Sequence, residues 1–333
     1  MRTETVSFYS EGLRVSGVLH LPDAAERPVP AIVQGPGWLG LSCGSTEVSV
    51  SEQYHQAFTD AGFAILMIDY RGFGASEGEP GWIRPEAQLE DIANAITYVL
   101  TRDDVDRRGV GLYGMGGTGG GHVIYTAARD DRVLAGVAQT VIADGTDWLR
   151  RMRPEHEWID FLERLDRNRR SSVLENRDEM VDPRNEIMVA TPERKHEPSR
   201  GPTDAKVGAA FHLSSAAGLL RYRPLDVIAQ VEPAALMLVG SELDAVTPLD
   251  HALRLFEAAP TPRKLIVQRG VRHYESYRRC FEAAVPHMID WYDRFLRRRI
   301  PGSGVDERVV IEPGGSGPLG MRGLGVKARW TSI

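Results

Sequence analysis

Cysteine is scarce. The chain of 333 residues has two, Cys43 and Cys280, too far apart to form a metal-like cluster and too few for a disulfide framework. Free thiols in a reducing, cytoplasmic setting are expected. A catalytic Cys43 would need a histidine or an acid at a telling distance, and none stands there. Positive charge is not in excess either: 40 Lys and Arg face 46 Asp and Glu, for a net charge of −6. That argues against a dedicated nucleic-acid binder, which would carry a basic stripe. Long apolar runs are missing. The longest, such as 63–68, are strand-sized, so no membrane-spanning helix is expected. The first ten residues lack a basic start followed by an apolar core, and no secretory signal is expected. No internal repeat is found.

What remains is an ordinary globular composition, 42% hydrophobic and 26% charged. Its length suits one large α/β domain with an insertion, or two domains. Residues 5–8 and 13–21 read as an antiparallel hairpin around Ser10-Glu11-Gly12. Residues 30–34 read as a strand, 52–61 as a helix and 63–69 as a doubly covered parallel strand. Residues 84–100 read as a helix, 109–114 as a strand, 119–129 as its helix and 134–141 as a strand. The pattern then breaks over 145–226, where mixed charge is dense. Residues 148–170 look helical there, and Trp148, Trp158, Phe161 and Leu165 look like a packing face. A structureless loop of that length would be unusual inside one domain. The segment is therefore expected to be an inserted helical lid. Strands at 234–240 and 264–268, and helices at 249–259 and 277–299, resume the alternation. Such alternation predicts a mostly parallel sheet with helices on both faces. The expected organisation is a core in two parts, 1–144 and 227–300, the lid at 145–226, and a flexible tail at 301–333.

The densest glycine cluster is Gly114-Met115-Gly116-Gly117-Thr118-Gly119-Gly120-Gly121, between a predicted strand and a predicted helix. Only a backbone that turns sharply, with other elements packed close, needs so few Cβ atoms. Strand, tight turn and helix in that order match the nucleophile elbow G-x-S-x-G. Here Gly116 takes the serine position. Three further stretches stand at strand ends: Gly35-Pro36-Gly37-Trp38, Asp69-Tyr70-Arg71-Gly72-Phe73-Gly74-Ala75-Ser76, and Gly240-Ser241-Glu242-Leu243-Asp244. A fourth, Gly270-Val271-Arg272-His273-Tyr274, follows the last predicted strand.

Taken together and in this order, the motifs resemble those of the α/β-hydrolase superfamily, of the esterase/dienelactone-hydrolase-like or S9/S15-peptidase-like kind. The resemblance covers roughly 5–142 and 225–298. It implies the α/β-hydrolase fold and acyl-transfer chemistry. Asp244 and His273 fit the acid and the base. A helix N-cap is the plainer role for Asp244, and a solvated loop position for His273. His20, His55, His122 and His212 lack such context and read as packing or surface residues. By the resemblance, the oxyanion hole is formed by the backbone amides of Trp38 and Gly117.

The attacking group stays open. Shifting the register by two residues gives Gly116-Gly117-Thr118-Gly119-Gly120, with Thr118 as nucleophile. Its plainer role is a helix cap or first-turn residue. Alternatively, the space at Gly116 holds a water activated by His273 and Asp244. As a third course, the pair shuttles protons in a lyase or isomerase reaction. A catalytically inactive binding homologue is a fourth. Glu155, His156, Glu157 and Asp160 could face the pocket from the lid. A solvated face with pairs such as Asp160–Arg164 and Glu163–Arg167 is the plainer reading. The expectation is a hydrolase acting on an ester, thioester or amide of a small organic substrate. No cofactor, metal, nucleic acid or membrane partner is implied, and a homo-oligomer is compatible with the sequence.

Overall fold

Strand and helix alternate along most of the chain, and the apolar runs join into one sheet. The computed structural model describes residues 1–23, 28–37, 50–189, 191, 210–301 and 304–314. In chain order the elements begin with β1 (Arg2–Ser10), β2 (Leu13–Leu21), β3 (Val29–Gly35), α1 (Val50–Asp60) and β4 (Ala64–Ile68). Then come α2 (Pro85–Leu100), β5 (Val105–Met115), α3 (Gly117–Ala127) and β6 (Val133–Gln139). The segment before the next core strand holds α4 (Gly145–Arg151), α5 (Glu155–Glu175), β7 (Met180–Val181), β8 (Phe211–His212) and α6 (Ser214–Leu220). The remainder is β9 (Ala235–Ser241), α7 (Leu249–Ala258), β10 (Arg263–Gln268), α8 (His273–Arg279), α9 (Phe281–Tyr292) and β11 (Asp306–Ile311).

Nine strands form the main sheet in the order β1-β2-β4-β3-β5-β6-β9-β10-β11. β2 pairs antiparallel with both β1 and β4, and every other pairing is parallel. The β1–β2 hairpin closes through Glu11 and Gly12, both at positive φ (47° and 83°), the geometry that matches strand twist. Successive side chains of a strand face opposite ways, and here both faces are covered. Ala31, Val33, Leu66, Leu112 and Leu238 enter one core with Ile92 of α2, Val123 of α3 and Leu255 of α7. Ile32, Ile65, Tyr113, Val239 and Ile266 enter the other with Phe58 of α1 and Trp291 of α9. This double burial is why β4 is apolar at every position.

Several boundaries differ from the sequence expectation. β5 starts at Val105 and runs to Met115, because Val105 pairs with Val29 and Met115 with Gln139. The helix expected over 148–170 is two helices. Pro154 disfavours a helical Arg153 and opens α5. The helix expected over 277–299 also splits, with a break at Cys280 and a π-turn at Asp293–Arg297. Tyr277, Cys280, Ala284 and Met288 all fall in one core, so their apolar spacing reads as continuous. Within the segment expected to be a flexible tail, residues 306–311 instead form β11, parallel to β10. Backbone pairing and ion pairs hold this charged edge strand: Asp306 with Arg263 at 2.7 Å, and Glu307 with Lys264 at 2.9 Å. Neither leaves an apolar period to read. Residues 315–333 lie outside the described residues, as does Cys43. Cys280 is buried as a free thiol.

In the inserted segment Trp148, Trp158 and Phe161 are buried, as their spacing suggested. Trp148 donates from Nε1 to the carbonyl of Val246 at 2.7 Å, which ties α4 to the loop after β9. Glu163 and Arg167 approach to 3.6 Å. The expected Asp160–Arg164 pair does not form; Arg164 turns to Glu179 and Glu186, which offer a shared site for its guanidinium. Among the described residues, no helix is long and apolar enough to cross a membrane.

The glycine-rich loop after β4 is a structural clasp. Asp69 Oδ2 accepts from Ala75 N at 3.0 Å, and Ser76 Oγ donates to Asp69 O at 2.6 Å. Arg71 is buried and grips the fully buried Asp91 of α2 through Nε at 3.0 Å and Nη2 at 2.7 Å. Removing one partner of such a pair strands the other charge in the core. Asp91→Ala is therefore expected to lose about 3–5 kcal/mol in urea unfolding. A loss under about 1 kcal/mol would show that Arg71 finds water instead.

Candidate active site

Five adjacent parallel strands, β3, β5, β6, β9 and β10, end on the same edge of the sheet. Loops at such an edge converge, which brings residues distant in sequence together. The turn after β5 is the tightest. Gly114 needs its hydrogen side chain, since a Cβ there would sit 2.1 Å from the carbonyl oxygen of Gly119. Strand and helix backbones thus touch across the turn. Gly116 stands at its apex with φ 82° and ψ 168°, a region open essentially to glycine alone. Its amide donates to Gln139 O at 3.0 Å, and its carbonyl accepts from Gly120 N at 2.8 Å. Among the described residues, a Cβ on Gly116 would meet nothing nearer than Gly37 Cα at 3.9 Å and Tyr277 Oη at 4.0 Å. The apex therefore offers room beside it.

Asp244 and His273 come together from the loops after β9 and β10. His273 Nδ1 lies 2.8 Å from Asp244 Oδ2. A carboxylate accepts, so Nδ1 carries the proton and Nε2 keeps its lone pair. Three more donors fix Asp244: Val246 N and Thr247 N on Oδ1, both at 2.7 Å, and Thr247 Oγ1 on Oδ2 at 2.8 Å. Asp244 thus does not cap α7, whose first residue is Leu249. Both side chains are enclosed, 7% exposed for His273 and 0% for Asp244. The elbow touches this loop, because a Cβ on Gly117 would lie 3.2 Å from Thr247 Cγ2. Gly117 opens α3, where backbone N–H groups have no intrahelical partner. Trp38 lies outside the described residues.

Thr118 makes no hydrogen bond to the pair. The register shift that would put it at the apex does not occur: β5 ends at Met115 and α3 begins at Gly117. Thr118 is the second helical residue, 0% exposed, and its hydroxyl has no hydrogen-bond partner. Glu155, His156, Glu157 and Asp160 are exposed on α5, and Glu155 pairs with Arg150 at 2.7 Å.

Two hydroxyls that the sequence reading passed over border His273. Tyr277 Oη is 3.4 Å from Nε2, and Thr140 Oγ1 makes a short hydrogen bond with Tyr277 Oη. Tyr277 had a signal: it lies four residues after His273, one helical turn away. Thr140 had none, since it meets Tyr277 only across the sheet edge.

A second polar cluster joins Asp147, Asp250 and His251, close enough for a cation among the described residues. Arg151 binds both carboxylates, and Arg254 holds Asp147 at 3.0 Å. His251 Nδ1 accepts from Ala143 N at 2.9 Å, which puts the ring proton on Nε2, the atom facing the acids. These are the features of an ion-pair network, in which both carboxylates already face arginines and His251 turns a proton toward them.

Under the elbow, His122 Nδ1 is 2.8 Å from the Tyr222 hydroxyl, and Nε2 is 3.1 Å from Gln88 Oε1. Burial lowers His122 to about 3, and burial with the nearby His20 lowers His55 to about 3.

The profile of the X-Pro dipeptidyl-peptidase (S15) family matches residues 11–275. The quorum-quenching protein AidA of Acinetobacter baumannii is 30% identical over 313 residues, 89% of this chain and 95% of that protein. The thiohydrolase aneE of Aspergillus aculeatus is 25% identical over 281 residues, 79% of this chain and 84% of its own. The crystal structure of the α/β hydrolase GrgF from Penicillium sp. sh18 has the same fold. Its TM-score is 0.73 at 23% identity, over 89% of this chain and 100% of that one.

Two outcomes follow from the site. Gly114→Ala is expected to cost more than about 3 kcal/mol, because the clash is with backbone. Gly116→Ala is expected to cost about 1–3 kcal/mol, from its dihedrals alone. Urea melts compare them, and the reverse order would mean the apex is elsewhere. In the unfolded chain His55 and His122 bind protons below about 6.5, whereas folded they wait until about 3. Their contribution is complete above pH 6.5 and is lost as pH falls from 6.5 toward 3. The urea midpoint is thus expected to fall between pH 7 and pH 4.5, and a flat profile would contradict neutral burial.

Proposed function

The chain belongs to the X-Pro dipeptidyl-peptidase (S15) family of the α/β-hydrolase superfamily, and on that premise we propose that it hydrolyses an ester, thioester or amide of a small organic substrate with water as the attacking group. The observation that carries this reading is the room left beside Gly116 by the described residues, bordered by Tyr277 Oη, which itself lies 3.4 Å from Nε2 of a histidine oriented by Asp244. The thioester option is supported by the thiohydrolase among its relatives.

In this mechanism a water at Gly116 gives one proton to Nε2 of His273 as its oxygen bonds to the substrate's carbonyl carbon. Asp244 stabilises the imidazolium through the Nδ1 hydrogen bond. The oxyanion is received by the amide of Gly117, with that of Trp38 as the second donor. On collapse, the bond to the leaving group breaks and Nε2–H protonates it. The base is regenerated, and no covalent acyl-enzyme forms. Thr118 serves instead as a helix residue. The described part of the inserted segment, tied to the loop after β9 through Trp148, serves as a lid and shapes the choice of substrate.

The test uses p-nitrophenyl esters and acyl thioesters. His273→Ala is expected to lose about 10²–10⁴-fold in kcat. Thr118→Val removes a buried hydroxyl that bonds to nothing. It is expected to keep wild-type turnover and to gain about 1 kcal/mol of stability. Rapid mixing should show no burst, and mass spectrometry no acyl adduct. An acyl group trapped on Thr118 would overturn the water mechanism. Full activity in His273→Ala would overturn the site. Turnover confined to elimination or isomerisation substrates would place the pair in a lyase or isomerase, and no turnover at all in a binding homologue.

A further inference from the structure

The hydroxyls of Thr140 and Tyr277 share a short hydrogen bond in which either oxygen can donate. Thr140 Oγ1 has one proton, and the carbonyl of Gln139 at 2.8 Å is an acceptor for it. When that proton is directed to Gln139, Thr140 accepts from Tyr277 in their short hydrogen bond. The proton of Tyr277 goes to Thr140, and burial keeps it on the phenol by pushing that group well above the usual tyrosine range. What Tyr277 then turns toward His273 is a lone pair. His273 has its own proton on Nδ1, facing Asp244, so Nε2 presents a lone pair as well. In this arrangement two acceptors 3.4 Å apart face each other, and neither satisfies the other.

The room at Gly116 opens onto this pair, since a Cβ there would lie 4.0 Å from Tyr277 Oη. The chemistry that satisfies both acceptors is one small atom bearing two protons. Their surroundings favour a fixed geometry. Tyr277 is buried, its ring stands perpendicular to that of His273, and its carbonyl accepts from Gln53 Nε2 at 2.7 Å and Tyr54 Oη at 3.0 Å. Thr140 is held at φ 55°, a conformation rare for a β-branched residue. Such strain persists where the surroundings over-determine it.

We propose that Tyr277 is a further catalytic residue, which together with His273 Nε2 seats the attacking water beside Gly116, and that Thr140 is the positioning residue that keeps the Tyr277 lone pair aimed at that water. The inference rests on the reading that water attacks directly. One water proton is held by Tyr277 Oη and the other passes to Nε2. The oxygen lone pairs are left toward the substrate carbonyl carbon, where the new C–O bond forms. The proton on Nε2 then leaves with the departing group. Tyr277 exchanges no proton in the cycle and has the effect of orienting the nucleophile. Without Thr140 as acceptor, the Tyr277 proton would turn to Nε2 and cap the base.

The experiment compares wild type, Tyr277→Phe, Thr140→Val and Thr140→Ser in ester and thioester hydrolysis, with crystal structures of wild type and Tyr277→Phe. Phe removes one oxygen, and Val matches threonine in shape and β-branching, so both preserve packing. Tyr277→Phe and Thr140→Val are expected to lose about 10- to 100-fold in kcat with KM unchanged, the size of one hydrogen bond to a group that becomes charged. Thr140→Ser is expected to restore kcat to within about 3-fold, because it restores the acceptor. In the crystals, an ordered water is expected within hydrogen-bond reach of both Tyr277 Oη and His273 Nε2 in wild type, and lost in Tyr277→Phe. Wild-type kcat in Tyr277→Phe, or no such water in wild type, would overturn the proposal while leaving hydrolysis by His273 intact. A wild-type water without turnover of any substrate would instead remove the hydrolase reading and leave the seat as a binding site.

Discussion

The contact between the backbone of β5 and that of α3 is the constraint on which the site depends. Gly114 lies against the carbonyl of Gly119 at a distance that leaves no space for a methyl group. With strand and helix locked so close, the turn between them can only be sharp, and its apex is raised to the sheet edge. Asp244, His273 and Gly37 come to that edge because they follow strands that end on the same side of the sheet. Loosening that contact would move the apex relative to the histidine before altering Asp244 or His273 itself. An ångström matters in such an arrangement.

Within that frame the chemistry is set by hydrogen-bond direction. Asp244 receives four donors, and one of them is Nδ1 of His273. That leaves a single lone pair free on the ring. On the far side Gln139, Thr140 and Tyr277 form a chain that starts at a backbone carbonyl. With the donor order proposed above, both chains end in acceptors at one spot. A serine at the apex would supply a donor there; glycine supplies room. The substitution that weakens the likeness to ordinary serine hydrolases thus makes sense together with the hydroxyls around it.

The motif at 69–76 had a different outcome. As a sequence it belongs with the elbow and the histidine loop. In the structure it is a clasp between β4, the hairpin and α2, centred on Arg71 and the buried Asp91. Its glycines give way to neighbouring groups, such as Asp69 beside Gly74. Motif order thus identified the fold through residues with different tasks.

The linear chain by itself determined much: the alternation of strand and helix, the hairpin, the elbow at Gly114 to Gly121, and Asp244 and His273 at strand ends. These are local properties, set by side-chain period and by where a Cβ cannot fit. It did not determine β11, because an edge strand held by backbone pairing and ion pairs leaves no apolar period. Nor did it separate Gly116 from Thr118 at the apex. That depends on where β5 stops, and β5 stops where Met115 still finds Gln139 to pair with. Thr140 and Tyr277 were beyond it too. They are 137 residues apart, and a hydrogen bond between them exists only because the sheet places the end of β6 beside α8. The residue types came from the sequence. Which lone pair faces which proton was decided by the tertiary structure, since that is a matter of direction in space.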